Sequence, residues 1–297
     1  MKLRILLPLL GCLTILQHHI IALADNIEVT DYLNRSITLS KPASRIIGLA
    51  PHIIENLYSA GAGDKIVGAV AYSDYPESAS RLPLVGSFNS INYESLLALA
   101  PDLIIMWHSG NGQKVLQQLD NLGLAVYVDE PQELADIARS ITDLGALAGT
   151  TKTAEPRAHD YLQQIAQLRQ QYMSQTRVTV LYQIWSDPLQ TINGQHIIND
   201  VIKLCGGSNA FADAKSLAPK INLESVLQRN PDAIIASGAD ANRPNWLDDW
   251  KKWPSLNAVS RNNLYFIPPD LIQRHSLRIL LGAETICRQF EKTRLSK

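Results

Sequence analysis

Cysteine is scarce, three residues in 297. None sits in a C-x-x-C or Cys/His spacing, so a structural zinc site is excluded. An excess of one charge sign is also missing. The 27 Lys+Arg face 28 Asp+Glu, a net charge of -1, so nothing could neutralise a phosphate backbone and nucleic acid is excluded as a partner. No Gly/Ser-rich or charged linker breaks the chain, which removes loosely tethered domains from consideration. The fingerprints of common enzymes are absent as well. Gly61-Ala62-Gly63-Asp64 lacks the third spaced glycine of a dinucleotide loop, and neither G-x-x-x-x-G-K-[ST] nor G-x-S-x-G occurs. Asp129-Glu130 and Asp248-Asp249 are adjacent acids that read as solvated faces rather than as a general-acid pair. The chain therefore reads as non-catalytic.

What is present is 46% hydrophobic and 19% charged residues, the balance of a soluble globular protein. The first 24 residues are the exception. Lys2 and Arg4 precede an apolar run from Ile5 to Leu16, and Ala22-Leu23-Ala24 has the A-x-A form of a secretory cleavage site. Gln17-His18-His19 interrupts the run, which argues against a membrane-spanning anchor. Residues 1–24 read as a signal peptide, with Leu9-Leu10-Gly11-Cys12 as an alternative lipoprotein cleavage site. The expected destination is outside the cytoplasm, in an oxidising compartment. The exported part keeps Cys205 and Cys287, and a single possible pair in an oxidising compartment reads as one disulfide. Two buried free thiols are the alternative.

The chain contains the same unit twice. Residues 92–105 read NYESLLALAPDLII and residues 222–235 read NLESVLQRNPDAII, with eight identities in fourteen ungapped positions. Each copy reads as an Asn-capped helix, a Pro-Asp turn and an apolar strand. Arg45 to Leu49 and Arg177 to Leu181 start a strand-to-helix unit upstream of each copy. Alternating strands and helices, duplicated, predict an α/β fold of two Rossmann-like lobes with parallel sheets and a ligand cleft between them.

The expected divisions are a first lobe over 25–150, a connecting helix over 151–175 and a second lobe over 176–297. Pro131 to Ala148 predicts one amphipathic helix ending at Gly149. Ala154 to Ser174 predicts a second, with Thr153 as its N-cap, Pro156 in its first turn, and Tyr161, Ile165, Leu168 and Tyr172 on one face. Such a strut is about 30 Å long at 1.5 Å per residue and would make a stiff clamp.

Sites in open α/β sheets form beyond the carboxyl ends of the strands. The segments expected there are Pro51-His52, Ala71 to Pro76, Ser87 to Asn89, Trp107 to Gly110, Trp185 to Asp187 and Pro269 to His275. Tyr72, Phe88, Trp107 and Trp185 place aromatic rings at these strand ends, which suits a large flat ligand. His52, His108, His196 and His275 lie at or near the same loops and could ligate a metal or a haem iron, though no H-x-x-x-H spacing supports it. His159 falls on the exposed face of the connecting helix.

The export signal, the two lobes and the repeated N-x-E-S-x-L…P-D-x-I-I pattern resemble the periplasmic substrate-binding proteins of cobalamin, haem and ferric-siderophore importers, and most closely their cobalamin-binding members. Tyr72-Ser73-Asp74-Tyr75-Pro76, Ile105-Met106-Trp107 with Gly110-Asn111, Cys205-Gly206-Gly207 and Arg278-Ile279-Leu280-Leu281 carry that resemblance. It implies a Cys205–Cys287 disulfide, corrin contacts from Tyr72 and Trp107, and polar rim contacts from Asp270 and Arg274. Phe88, Ala218 and Leu271 depart from the pattern, each standing where the cobalamin binders have Trp. Phe88 can still stack and Ala218 cannot; Trp185 is the candidate to supply the lost surface. The resemblance further implies that Glu94 and Glu224, one per lobe, dock onto the permease subunits of an ABC importer. By residue chemistry alone the same two acids would only favour their helix dipoles. A cobalamin carrier acting as a monomer, without metal or cofactor of its own, is the function implied; a haem or ferric-siderophore carrier on the same scaffold is the alternative.

Overall fold

The computed structural model describes residues 26–238 and 241–296. The expected signal peptide, including Cys12, lies outside the described residues. After an antiparallel hairpin of β1 (Ile27–Thr30) and β2 (Ser36–Leu39), the chain enters its first lobe. There β3 (Ile46–Gly48) leads into α1 (Pro51–Ser59) and β4 (Ile66–Ala69). A short hairpin follows, β5 (Gly86–Ser87) and β6 (Ser90–Ile91), and then α2 (Tyr93–Ala98), β7 (Leu103–Trp107), α3 (His108–Asn111), α4 (Gln113–Asn121) and β8 (Val126–Asp129). The sheet runs β4-β3-β7-β8 with every pairing parallel. Its strands are continuous apolar runs, because helices cover both faces of a parallel sheet.

Two antiparallel helices follow, α5 (Leu134–Ala148) and α6 (Thr151–Tyr172). Gly149 takes the left-handed conformation, φ 69°, that ends α5 and turns the chain. Gly145 lets the helices approach, since a Cβ there would land on the Cβ of Ala154. Tyr161, Ile165 and Tyr172 are buried along one face of α6, as their spacing predicts.

The second lobe holds β9 (Val178–Ser186), β10 (Leu189–Thr191), α7 (Ile197–Leu204), β11 (Gly207–Asn209), α8 (Leu223–Arg229), β12 (Ala233–Ala236), α9 (Asn257–Ser260), β13 (Leu264–Phe266) and α10 (Ile279–Leu295). β9, β12 and β13 are parallel neighbours; β11 joins the other edge of β9 in parallel and β10 antiparallel. Cys205, closing α7, is bonded to Cys287 of α10 across 82 residues.

The duplication holds at the level of individual bonds. Asn92 accepts from the Ser95 amide at 3.0 Å and Asn222 from the Ser225 amide at 2.9 Å, each capping its helix. The repeated Asp then ties its strand to a neighbour, Asp102 accepting from the Ser44 and Arg45 amides and Asp232 from the Thr179 amide. One continuous core runs from Ile105 and Tyr127 of the first sheet through Ile141, Leu144 and Tyr161 to Val180, Ile235 and Phe290 of the second lobe. The outer face of each sheet has a smaller core of its own. Packing that crosses the junction without a break makes a stiff hinge. Among the described residues no helix is long and apolar enough to cross a membrane.

Four local expectations are corrected. Pro51 and His52 are the first turn of α1 rather than a loop; Ala50 caps it without a side-chain bond, so the usual polar cue was absent. α6 starts at Thr151, which puts Thr153 inside it and Pro156 in its second turn, where the ring removes a bond to the Lys152 carbonyl. β9 runs on to Ser186 and folds back as β10, so Trp185 is a hairpin residue paired with Gln190. Asp129 is fully buried at the end of β8 rather than solvated.

Candidate ligand-binding site

Trp107 ends β7, where the sheet stops and α3 turns away. Three strand ends are tied together around it by one side chain. Asn111, 8% exposed, accepts from the Trp107 amide at 2.7 Å and donates through Nδ2 to the carbonyls of Leu49 and Phe88, at 2.9 and 2.6 Å. Gly110 completes the seat, because a Cβ there would strike the Trp107 indole.

The indole anchors a set of rings that crosses from lobe to lobe. Phe88, at the tip of the β5–β6 hairpin, lies 6.2 Å from Trp107, and His52 of α1 meets it edge-on at 5.3 Å. From the second lobe His275 reaches Trp107 at 5.9 Å and His52 at 5.3 Å, and His196 stands 6.2 Å behind it. Burial disfavours the charged imidazoles. It holds His52 down to about 3, helped by Arg274, and His196 down to about 4. Burial together with His52 and His196 keeps His275 well below the usual range. The cluster is therefore neutral.

A charged seam adjoins the rings. Arg274 donates to Glu55 at 2.9 Å and to Asp74 at 2.6 Å, both in the first lobe, and pairs with Asp270 of its own lobe at 2.9 Å. Glu55, 3% exposed, also accepts from Arg278 and Ser276. Burial pushes the Glu55 carboxyl up, against the pull of those donors. Asn56 adds a bond to the His275 carbonyl at 2.9 Å. Tyr72 stands apart from the seam, 77% exposed, at φ 67°. A bulky residue in the left-handed region costs of order 1 kcal/mol and is held there by its surroundings. Arg278 also stacks its guanidinium 4.2 Å over the Tyr75 ring.

A cavity of about 510 Å³ opens beside the rings, sharing Trp107, His196 and His275 with them. The segment after β8 and the start of α7 supply its other walls.

Of the residues singled out in the sequence, Phe88 and Trp107 share the ring cluster, and Asp270 and Arg274 pair with each other. Trp185 does not join them. Its indole donates to the Asp187 carbonyl at 3.0 Å, and among the described residues it makes no ring contact. Glu94 and Glu224 are exposed in the first turns of α2 and α8. His159 bonds Gln163 on the exposed face of α6. Glu55 and Asn111 were missed as site residues. The only cue for Glu55 was an acid on the apolar face of α1, next to Ile53 and Ile54.

Comparison with known proteins agrees with this architecture. Residues 46–271 match the model of the periplasmic binding protein family. A vitamin B12-binding protein of Vibrio cholerae serotype O1 is 37% identical over 248 residues, 83% of this chain and 88% of that one. A vitamin B12-binding protein of Yersinia pestis is 36% identical over 250 residues, 84% of this chain and 87% of the relative. The crystal structure of the periplasmic vitamin B12-binding protein of Vibrio cholerae superposes with a TM-score of 0.79 at 35% identity, covering 85% of this chain and 98% of that one.

Proposed function

The chain belongs to the periplasmic binding protein family, and on that premise we propose that it captures a corrinoid between its two lobes and delivers it to an ABC importer in the inner membrane. It is a solute-binding protein of the periplasm and performs no chemistry on its ligand. It acts as a monomer, and the corrinoid is its cargo rather than a cofactor.

The observation that carries this reading is the ring cluster. Phe88, Trp107 and His52 from one lobe meet His275 and His196 from the other in a neutral ring cluster at the lobe junction, whose outer rings Phe88, Trp107 and His196 stay accessible. Rings of this kind gain area and edge or face contacts against a planar macrocycle. Tyr72 and Phe88 add exposed rings, 77% and 39% accessible, and Asp270 offers a polar group for the ligand's rim. The charge of the seam favours a corrinoid over haem. A corrin carries neutral carboxamide side chains, whereas haem brings two propionates, and Arg274 is already engaged by Glu55, Asp74 and Asp270. Glu94 and Glu224 would meet arginines of the permease, one from each lobe, steering and registering the complex more than tightening it.

Calorimetric titration of residues 25–297 with cyanocobalamin tests the proposal. Tight one-to-one binding is expected. One observation favours a second reading: His52, His196 and His275 are neutral imidazoles, able to ligate a haem iron. Heat with haemin, a shifted Soret band and silence with cyanocobalamin would replace the first reading by the second.

A further inference from the structure

The cavity beside the rings holds polar atoms that the protein leaves unmatched. Trp107 Nε1, Asn199 Oδ1 and His275 Nδ1 are buried and have no hydrogen-bond partner among the described residues, and all three residues line it. Asn199 and His275 are only 2% and 8% exposed. Two of the three have fixed roles. Asn199 Nδ2 donates to the Gly194 carbonyl at 2.9 Å, which orients the amide and makes Oδ1 the free acceptor. Indole Nε1 can only donate. His196, also in the wall, accepts the Ile198 amide on Nδ1, so its neutral ring carries the proton on Nε2 and is a second donor.

The fixed charges of the wall have one dominant sign. Glu130 accepts from the Ser109 amide and hydroxyl at 2.7 Å, Glu133 caps α5, and Asp200 accepts from the Leu134 amide at 3.0 Å. Against these three carboxylates stands Lys203 alone.

From these walls we propose that the cavity is a subsite for neutral carboxamide groups on the ligand's periphery. A carboxamide both donates and accepts, so it can answer Asn199 Oδ1 with an N–H and Trp107 Nε1 or His196 Nε2 with its oxygen. A carboxylate can only accept; it leaves Asn199 unmatched and faces Glu130, Glu133 and Asp200. A cation leaves Trp107 unmatched. Sites that leave a buried polar group unpaired with the wrong ligand discriminate strongly against it. The inference rests on the corrinoid reading and deepens it. The subsite would select intact corrinoids over those with a hydrolysed side chain, and it is distinct from the rim contacts of Asp270 and Arg274.

The test is a calorimetric series on the whole exported chain. Cyanocobalamin is compared at pH 7 with its isolated monocarboxylic acids, in each of which one side-chain amide is hydrolysed. At least one positional isomer is expected to bind about tenfold more weakly or worse. Asn199→Leu is expected to weaken cyanocobalamin binding by a similar factor and to lessen the penalty for that isomer. Isomers that all bind within twofold of a tightly bound cyanocobalamin would overturn this inference and leave the corrinoid reading standing. Absence of any cyanocobalamin binding would overturn both. The isomer series on the native chain decides the matter even if Asn199→Leu does not fold.

Discussion

Arg274 and Glu55 stand 2.9 Å apart across the lobe boundary, joining residues separated by 219 positions in the chain. Glu55 is nearly inaccessible and accepts from Arg278 and Ser276 too, so the carboxylate is the node of the seam. Breaking a buried pair from one side costs roughly 3–5 kcal/mol, because a charge is left without its partner. Glu55→Ala should fall near the lower end, about 3 kcal/mol, since Asp74 and Asp270 still hold Arg274. Urea denaturation measures this; a loss below about 1 kcal/mol would mean that the seam guides the lobes together without stabilising them.

A second staple, within the second lobe, is covalent. Cys205 and Cys287 are fully buried and join α7 to α10 over a separation of 82 residues. On the chain-entropy account, closing a loop of that length contributes roughly 4–5 kcal/mol. Replacing both cysteines by alanine should therefore lower the unfolding free energy by about 4 kcal/mol while the ligand affinity stays within twofold. A variant that unfolds at the same urea concentration as the native chain would show that the packing of α7 on α10 suffices.

Much of this could be read from the chain because it is local. The Asn92 and Asn222 caps, the Pro-Asp turns and the apolar strands are fixed by residues within a few positions of each other, and duplication made the signal plain. Phe88 and Trp107 were both expected at one edge of the first lobe, and they meet there because Asn111 ties the tip of the β5–β6 hairpin to the end of β7. The Glu55–Arg274 seam was not legible, since nothing near Glu55 in sequence marks its partner, and the pairing exists only once the lobes dock. Trp185 was misplaced for a related reason. The end of β9 was read as a loop, but Gln190 pairs with it and carries the strand on into a hairpin. Asp129 looked like half of a solvated acidic pair, and only the packing around β8 buries it.

Trp107 gives the ligand reading its sharpest probe, for the indole faces a cavity on one side and rings on the other. Trp107→Ala removes stacking and apolar area worth about 1–3 kcal/mol, which corresponds to a five- to 150-fold loss of corrinoid affinity. An unchanged dissociation constant would place the ligand elsewhere.

Glu94 and Glu224 are exposed at matching positions of α2 and α8, and neither forms an ion pair among the described residues. Exposed acids without an ion pair of their own are free to meet a partner's cations. Glu94→Ala with Glu224→Ala should leave ligand affinity within twofold and abolish uptake in cells. Loss of ligand binding in the double variant would sink this separation of roles, and normal uptake would remove these residues from the docking surface.

The pH dependence of stability should have two opposed limbs, and one residue separates them. Asp129 Oδ2 faces His52 Nε2 at 4.0 Å, and both atoms lack a hydrogen-bond partner among the described residues. Burial, reinforced by Glu130, pushes the Asp129 carboxyl up to about 7, while burial and Arg274 push His52 down to about 3. Between the ordinary carboxylate value and 7 the native state keeps a proton that the unfolded chain releases. Stability from Asp129 is thus full in acid and is lost as pH rises through 7. His52 and His196 act in the other sense. They are neutral in the native state, so their contribution is full above the ordinary imidazole value and is lost as pH falls toward 4 and then 3. Asp129→Asn can still accept the Ser140 hydroxyl but cannot ionise, so it removes the alkaline limb alone. Urea unfolding at pH 5 and pH 8 should show the native chain losing roughly 2–3 kcal/mol relative to this variant over that interval. Parallel profiles would mean that Asp129 is ionised in the native state throughout, with His52 or the Ser140 hydroxyl compensating its charge.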